Sequence, residues 1–331
     1  MSLFSSPCND ELLSLLQRRE GQPVSGVEIG RCLGISRAAV WKRIQGLRLA
    51  GYKVQSMAGQ GYVLDEIPDL LTREVVGGWL RGAIFLPGRY HYFSEIDSTN
   101  AHAARLAVEG AEEGTVVVAD SQTRGRGRLG RVWESPSGVN LYFSMILRPP
   151  VEPRHTAQMT LISGLALAET VAGLGVQGVE IKWPNDLLLN GGKLAGILTE
   201  MAAEEDRVHY VVVGVGLNVN GQMLAYSPEI QQIARSLHDQ TQKTIKRAPL
   251  LADFLFRFEE WYRRYLTHGF AAIRDAWIEN SGIRGKQVRV NLMKERFSGE
   301  AVDMDHEGFL IVRRQDDQNL VRVIAGDVTP L

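Results

Sequence analysis

A chain of 331 residues is long enough for two or three domains. Its hydrophobic content of 44%, charged content of 23% and net charge of -1 are ordinary for a globular protein, which excludes a uniformly basic nucleic-acid coat but not a local basic patch. The two cysteines, Cys8 and Cys32, argue against a disulfide framework or a zinc site. With neither an apolar run of ~20 residues nor a signal-peptide pattern, we expect a cytoplasmic protein with no metal-ligating cluster of its own.

The first 65 residues have the pattern of a separate module that starts with three helices. Leucines recur through Asp10 to Arg19, which predicts the first helix. Ser25 and Glu28 form a capping box that starts the second helix, and Gly34 ends it. The spacing therefore predicts two short helices ahead of a third that Ser36 caps.

The third helix, from Arg37 to about Ala50, is the candidate recognition helix. Val40, Ile44 and Leu47 recur at helical spacing and should face inward. Two strands around Gly59–Gly61 follow, and this order is typical of a winged helix-turn-helix. The polar residues of the third helix and its cap are the candidate DNA contacts: Ser36, Arg37, Lys42, Arg43 and Gln45.

The alternative interpretation of this module is a small helical domain that contacts protein. We favour DNA because positive charge is concentrated on the third helix. Trp41 lies on the same helix and has no assigned role. Residues 66–69 end the module as a short linker, and another helix starts near Leu70.

Gln122 to Arg131, termed the arginine loop, carries four arginines separated by three glycines. Glycine lets backbone N–H groups approach a ligand closely, and guanidinium groups bind carboxylate or phosphate through paired donors. The pattern favours a flexible loop that wraps a small anion. A solvated basic loop and an RNA-binding Arg/Gly segment remain alternatives from this stretch alone. The arginines and glycines of the loop are Arg124, Gly125, Arg126, Gly127, Arg128, Gly130 and Arg131.

Further polar stretches follow buried strands in the central region. Ser98–Asn100 join a strand to a helix, where hydroxyls and free helix N–H groups meet, although plain capping is the alternative. Pro184 constrains the turn that carries Lys182, Asn185 and Asp186. Lys193 starts a strand beside glycine and could point into a cavity, or could be a surface lysine.

Five motifs occur in a fixed order along the central region: Asp97–Asn100, Gln122–Trp133, Lys182–Asp186, Lys193–Glu200 and Gly214–Asn220. This set resembles the biotin–protein ligases, and with the N-terminal module it resembles their bifunctional class, the biotin operon repressors. The resemblance covers nearly the whole chain. It implies an α+β protein with an N-terminal winged helix-turn-helix, a central mixed-sheet catalytic domain of class II synthetase type and a C-terminal SH3-like β-barrel. We expect these domains at 1–66, 67–281 and 282–331.

The function implied by the resemblance has two parts. The enzyme would activate biotin with MgATP to biotinyl-5′-AMP and pass the biotinyl group to one lysine of the biotin carboxyl carrier domain of acetyl-CoA carboxylase. The adenylate-bound protein would also bind operator DNA as a homodimer and repress biotin genes. Three alternatives remain: a ligase whose module does not bind DNA, a ligand sensor without catalysis, and a lipoate-type acyl ligase.

The matched motifs also imply the site residues. Biotin would contact Ser98, Thr99, Asn100, Gln122, Gly125, Arg126, Gly127, Arg128 and Lys193. The nucleotide would lie near Arg131, Trp133, Asn185 and Asn218. Lys193 and Arg128 would offset the charge that grows during catalysis, and Asp186 would accept the proton of the incoming lysine amine or orient that amine.

Two stretches depart from the family pattern. Arg124 stands where family members commonly carry alanine, and its extra charge has no assigned role. Gly221 to Arg235 match no strong motif, although this region orders over the adenylate in relatives. We also expect the arginine loop to order over the adenylate and to present a dimer surface.

The C-terminal region reads as a helix followed by short strands. Leu250 to Tyr265 form an aromatic-rich amphipathic pattern, which favours core packing over a cofactor site. Four alternating stretches then predict the strands of a small β-barrel: 285–290, 296–302, 309–313 and 319–324.

Overall fold

The computed structural model describes residues 7–19, 21–49, 52–66, 69–292 and 295–331. The chain forms two compact units, an N-terminal unit of residues up to Leu80 with Lys246–Ala252, and a larger unit of Arg81–Ile245 with Asp253–Leu331. The three-domain division expected from the sequence stays a prediction. The predicted helix end at Ala50 and residues 67–68 of the linker lie outside the described residues.

The N-terminal unit contains four helices and a two-stranded hairpin among its described residues. In chain order they are α1 Pro7–Gln17, α2 Gly26–Leu33, α3 Arg37–Leu49, β1 Lys53–Met57, β2 Gly61–Glu66 and α4 Arg73–Gly77. The Ser25 hydroxyl accepts a hydrogen bond from the Glu28 backbone N–H at 3.0 Å, which starts α2 as predicted. Gly34, in the left-handed conformation at φ 63°, ends it.

The third helix packs as its periodicity predicted. Val40 and Ile44 are fully buried and Leu47 is nearly so. The antiparallel hairpin of β1 and β2 follows, and Val24 extends it by pairing with Tyr62. This arrangement confirms the predicted winged helix-turn-helix.

The larger unit holds a seven-stranded mixed sheet and a five-stranded antiparallel sheet. The helices and strands from β3 onward are β3 Tyr90–Ile96, α5 Thr99–Val108, β4 Val116–Gln122, β5 Leu141–Leu147, α6 Ala157–Ala172, β6 Val179–Lys182, β7 Asp186–Leu189, β8 Gly192–Ala203, β9 Val208–Leu217, α7 Pro228–Ile233, α8 Leu237–Thr241, α9 Arg247–His268, α10 Ala271–Ser281, β10 Gln287–Asn291, β11 Arg296–Met304, β12 Leu310–Arg314, β13 Leu320–Val323 and β14 Asp327–Pro330. The first residues of α9 belong to the N-terminal unit.

The seven-stranded sheet has the order β3-β4-β5-β9-β8-β7-β6, in which β3 and β4 are parallel and all other pairs are antiparallel. Because β3 and β4 are parallel, both end at the same edge, and Ile96 is the cross-strand partner of Gln122. This pairing brings the start of α5 next to the start of the arginine loop.

Two helices of the larger unit form much of its core. Helix α6 is buried on nearly all sides. The aromatic face of α9 packs inward, with Phe254, Phe258 and Tyr262 essentially inaccessible and the rings of Phe258 and Tyr262 stacked at 5.7 Å. Core packing was therefore the right interpretation of this aromatic stretch. No described helix combines the length and the apolar character needed to cross a membrane.

The C-terminal strands form a sheet of order β13-β12-β11-β10-β14. The four predicted strands are present within a few residues, whereas β14 and α10 were missed. The loop before β12 reaches the turn between β6 and β7, where the Trp183 indole N–H donates to the Gly308 carbonyl at 3.1 Å. The C-terminal sheet is thereby fixed beside the turn that carries Asn185 and Asp186.

Candidate active site

A cleft of about 810 Å³ opens in the larger unit, and twelve of the fourteen predicted ligand and catalytic residues line it. Gly125 and Asn218 do not line it. The lining residues that the sequence predicted are Ser98, Thr99, Asn100, Gln122, Arg126, Gly127, Arg128, Arg131, Trp133, Asn185, Asp186 and Lys193.

The first wall of the cleft is the N-terminus of α5. Ser98 caps the helix by accepting a hydrogen bond from the Ala101 N–H at 3.4 Å, so the capping interpretation is correct and compatible with a ligand site. The backbone N–H and hydroxyl of Thr99 both donate to Gln122 Oε1, at 2.9 and 3.1 Å. Gln122 in turn donates to Ser135 Oγ at 3.0 Å. The root of the arginine loop is thus bound to the helix start.

The backbone before this wall is also fixed. The Ser98 backbone N–H donates to Asp97 Oδ1 at 2.7 Å, and this bond lowers the pKa of the Asp97 carboxyl below its usual value. Arg105 lies 3.6 Å from the other oxygen of Asp97 and acts in the same direction. Asp97 therefore stays ionised near neutral pH and stabilises the turn that enters α5.

Asn100 links this wall to the floor of the cleft. Its Oδ1 accepts from Ser144 at 2.6 Å, and its Nδ2 donates to Glu200 Oε2 at 2.8 Å. Glu200 also binds Arg126 of the arginine loop at 3.0 Å. A Cβ atom at Gly214 would lie 1.8 Å from Asn100 Oδ1, so only glycine leaves room for this amide. Glu200 was part of a sequence motif but had no predicted role.

The arginine loop is a short hairpin. The Gly127 N–H donates to the Arg131 carbonyl at 2.7 Å, and the Trp133 N–H donates to the Gly125 carbonyl at 2.9 Å. Leu129 at its tip adopts φ 56°, a left-handed conformation that non-glycine residues rarely take. The sequence predicted a flexible loop that orders over the adenylate, and the hairpin itself was not predicted.

Two arginines of the loop bind residues on other sides of the cleft. Arg128 donates to Asn185 Oδ1 at 2.8 Å, and Arg131 pairs with Asp327 at 3.0 Å. Arg124, by contrast, is exposed and does not line the cleft. The loop thus contacts both the Asn185 turn and the C-terminal sheet.

Lys193 and Asp186 form the central ion pair of the cleft. Their Nζ and Oδ1 atoms are 2.7 Å apart, and the Lys182 ammonium lies 3.7 Å from the other carboxylate oxygen. The Lys193 ammonium also lies 5.5 Å from the centre of the Trp133 ring. Lys193 is therefore a cleft residue, and the surface-lysine alternative is wrong.

The floor beneath Trp133 is made of glycine backbone. Gly196 and Gly216 are direct partners in strands β8 and β9. A Cβ atom would lie 3.0 Å from the Trp133 ring at Gly196 and 2.4 Å from it at Gly216. The indole therefore lies against the sheet itself, and its buried Nε1 makes no hydrogen bond within the described residues.

Residues 221–235, which matched no motif, complete the cleft. Ala234 pairs with Lys193 as an isolated bridge, and Asn218 Nδ2 donates to the Arg235 carbonyl at 3.1 Å. Helix α7 lies in this stretch, and a signal for it was available, since Ser227 followed by Pro228 is a typical helix start. Four residues of the segment line the cleft: Ile230, Gln232, Ile233 and Arg235.

The predicted DNA contacts lie on α3 and its cap. Arg37 and Lys42 are exposed, and Trp41 between them has 58% of its surface accessible. Arg43 and Gln45 are half-buried. The Ser36 hydroxyl accepts from the Ala39 N–H at 3.2 Å, so it caps the helix.

Family models match two parts of the chain. Residues 92–218 match the biotin/lipoate A/B protein ligase family, and residues 10–63 match an HTH domain. The first match runs from β3 to just after β9 and includes most of the residues that line the cleft, and the second match lies within the winged helix-turn-helix.

Several curated proteins are similar over most of their length. The bifunctional ligase/repressor BirA of Bacillus subtilis is 38% identical over 324 residues, 98% of both chains. The protein of the same name from Escherichia coli is 32% identical over 92% of each chain. A biotin–[acetyl-CoA-carboxylase] ligase of Paracoccus denitrificans is 35% identical over 66% of this chain and 91% of its own.

A solved structure has the same fold in the larger part of the chain. It is the biotin protein ligase of Aquifex aeolicus in complex with biotin and ATP, with a TM-score of 0.62 and 28% identity. The match covers 72% of this chain and 97% of that protein.

Proposed function

Because this chain belongs to the family of bifunctional biotin ligase/repressors, we propose that it attaches biotin to a carrier protein and represses biotin genes. In the first step a biotin carboxylate oxygen attacks the α-phosphorus of ATP, and pyrophosphate leaves with the bonding electron pair. In the second step a lysine amine of the acetyl-CoA carboxylase carrier domain attacks the acyl carbon, and AMP leaves. Complexes of a relative with biotin and ATP support this choice of substrates.

One observation carries the proposal: a single cleft combines a neutral, buried wall with a cationic one. Ser98, Thr99 and Asn100 offer hydroxyl and amide groups suited to an uncharged polar ring system. Arg126, Arg128 and Lys193 face the same space. A carboxylate and a phosphate repel each other, so cations that hold both lower the barrier to their reaction.

The nucleotide would lie on the side of Trp133, Arg131 and Asn185, where an aromatic ring and hydrogen-bonding groups meet. Asn218 and Gly125 would act indirectly. Asn218 fixes the Arg235 backbone, and Gly125 lets the arginine loop close against Trp133.

Magnesium would enter with ATP. No group of three His, Cys, Asp or Glu side chains suited to a metal occurs in the part of the chain that the structure describes. The acids that line the cleft are ion-paired with lysine or arginine: Glu180, Asp186 and Asp327. A magnesium ion carried by the ATP phosphates fits these residues, since such ions keep few protein ligands.

The repressor activity would use the winged helix-turn-helix. The HTH match and the exposed Arg37 and Lys42 support contact with operator DNA. We propose that the adenylate-bound cytoplasmic protein forms a homodimer whose two modules bind a palindromic operator, with the ordered arginine loop forming part of the dimer surface.

The direct test is incubation with biotin, ATP, magnesium and a carrier domain, followed by mass spectrometry of the carrier. We expect a single biotinyl addition and release of AMP. A gel shift with DNA from upstream of biotin genes should then appear when the adenylate is present. Labelling without the shift would favour a ligase whose module does not bind DNA, and no labelling would reject the ligase proposal.

The role of Asp186 can be tested separately. Its contact with Lys193 places it where it could orient that ammonium or accept the proton of the carrier lysine. If the second role is correct, Asp186→Asn should slow transfer from preformed adenylate by about 10²-fold or more, as expected for loss of a general base, with a smaller effect on adenylate formation. Equal slowing of the two half-reactions would instead assign Asp186 to the orientation of Lys193.

A further inference from the structure

The cleft carries more positive charge than its acids neutralise. Seven cations line it: Arg126, Arg128, Arg131, Lys182, Lys193, Arg235 and Lys286. Three acids line it: Glu180, Asp186 and Asp327. Of these seven cleft cations, Arg128 and Arg235 are the two whose partners among the described residues are neutral oxygens only. Arg128 has a role in the proposed reaction, and Arg235 has none.

Arg235 is held firmly at its backbone. Its N–H donates to the Lys193 carbonyl at 2.8 Å, and its own carbonyl accepts from Asn218 Nδ2 at 3.1 Å. The first bond connects it to strand β8, and the second connects it to the residue that follows β9. The base of this side chain is therefore positioned by the same backbone that positions Lys193.

The side chain of Arg235 occupies space that a glycine provides. A Cβ atom at Gly192 would lie 2.5 Å from Arg235 Cγ and 3.1 Å from its Cζ. The guanidinium donates to the Ala234 carbonyl at 2.7 Å, which leaves most of its five N–H donors for another partner. No described acid within ion-pair distance neutralises it. This arrangement presents one unneutralised cation beside Lys193.

We infer that Arg235 binds the β- and γ-phosphates of ATP, the part that leaves as pyrophosphate. This inference rests on the proposed function and names a further residue of its first half-reaction. The proposed partners of the biotin carboxylate and the α-phosphate are Arg126, Arg128 and Lys193. The remaining phosphates also need a cation, and a guanidinium group binds phosphate oxygens through paired donors. Its charge also stabilises the pyrophosphate as it departs.

The test separates the two half-reactions, because biotinyl-5′-AMP contains no β- or γ-phosphate. In ATP–pyrophosphate exchange, Arg235→Gln should raise the KM for both ATP and pyrophosphate by about 10- to 100-fold, the loss expected for one charge-assisted contact. The KM for biotin and transfer from synthetic biotinyl-5′-AMP to the carrier lysine should stay within twofold of wild type. Arg235→Lys, which keeps the charge, should recover part of the ATP affinity.

A matched control is Arg207→Gln, which removes an exposed arginine outside the cleft and should change none of these constants. The melting temperatures of all three variants should be compared with that of wild type. An unchanged KM for ATP in a folded Arg235→Gln variant would overturn the inference while leaving the ligase proposal intact. An equal loss in transfer from the synthetic adenylate would also overturn it, because Arg235 would then act on the adenylate. Absence of adenylate formation in wild type would reject the proposed function itself.

Discussion

The two walls of the cleft differ in how their polar groups are satisfied. At the start of α5, Thr99 and Asn100 are buried and bonded to Gln122, Ser144 and Glu200. On the opposite side, the exposed Arg126 and Arg131 bind acids through surface ion pairs, and the half-buried Arg128 binds a neutral oxygen. In the neutral wall, hydrogen bonds within the protein fix the positions of the polar side chains. In the charged wall, a bound anion can replace the present partners of the arginines. Stability should therefore depend on the first wall and catalytic rate on the second.

The largest effect is expected from the charged wall. Lys193→Met removes the ammonium that lies between Asp186 and Trp133. We expect adenylate formation to fall by about 10²- to 10³-fold, the usual loss when one charge-stabilising donor is removed. Because Lys182 still neutralises Asp186, the melting temperature should change little. Single-turnover rates measure adenylate formation, and thermal melts measure stability. A large loss of stability would contradict the proposal that the charged wall serves catalysis and the neutral wall serves stability.

An intermediate effect is expected from the neutral wall. Gly214→Ala forces a methyl group to within 1.8 Å of Asn100 Oδ1, which requires a backbone or side-chain shift. Overpacking of this kind costs about 1–3 kcal/mol of unfolding free energy, and biotin affinity should fall with it. The control is Gly127→Ala in the arginine loop, where the nearest atom lies at an ordinary contact distance of 3.5 Å. Urea unfolding should distinguish the two variants, and biotin titration should compare Gly214→Ala with wild type. Equal stability of the two variants would contradict the comparison.

The smallest effect is expected where the walls meet, at Glu200. Glu200→Gln can still accept a hydrogen bond from Asn100 but loses the ion pair with Arg126. Both side chains of that pair are more than one-third exposed, so the change should cost at most about 1 kcal/mol, or about fivefold in the KM for biotin. High salt should reduce the difference from wild type, because salt screens the exposed pair. A salt-independent difference would mean that Glu200 acts through Asn100 alone.

Local patterns in the sequence predicted most of the elements. The inward positions of α3 and the aromatic face of α9 follow from helical periodicity, which depends on residues a few positions apart. Strand β14 was missed because Asp327–Pro330 is short and has no alternating apolar pattern. The order of the central sheet, with β9 between β5 and β8, was not predicted, since nothing local specifies which strands pair.

The site was predicted through its motifs, and its residues outside the motifs were not. Twelve of fourteen predicted residues line the cleft, because the resemblance supplied long-range information. Arg235 belongs to a stretch without a motif, and its place depends on a glycine more than forty positions earlier, Gly192. The pairing of Arg131 with Asp327 joins residues 196 positions apart. Such contacts follow from tertiary structure and leave no local sign.

The glycine floor beneath Trp133 limits which amino-acid substitutions this protein can tolerate. Because Gly196 and Gly216 have no side chains, they leave room for the Trp133 ring in the cleft, and Gly214 leaves room for Asn100 in the same way. Each of the nineteen replacements at these positions adds atoms to space that another side chain already fills. Mutational tolerance should therefore be lower at these backbone positions than at exposed cations such as Arg124. In a saturation mutagenesis library selected for function, variants at these three glycines should be depleted. This depletion would identify positions of the cleft although no side chain that contacts the ligand is altered.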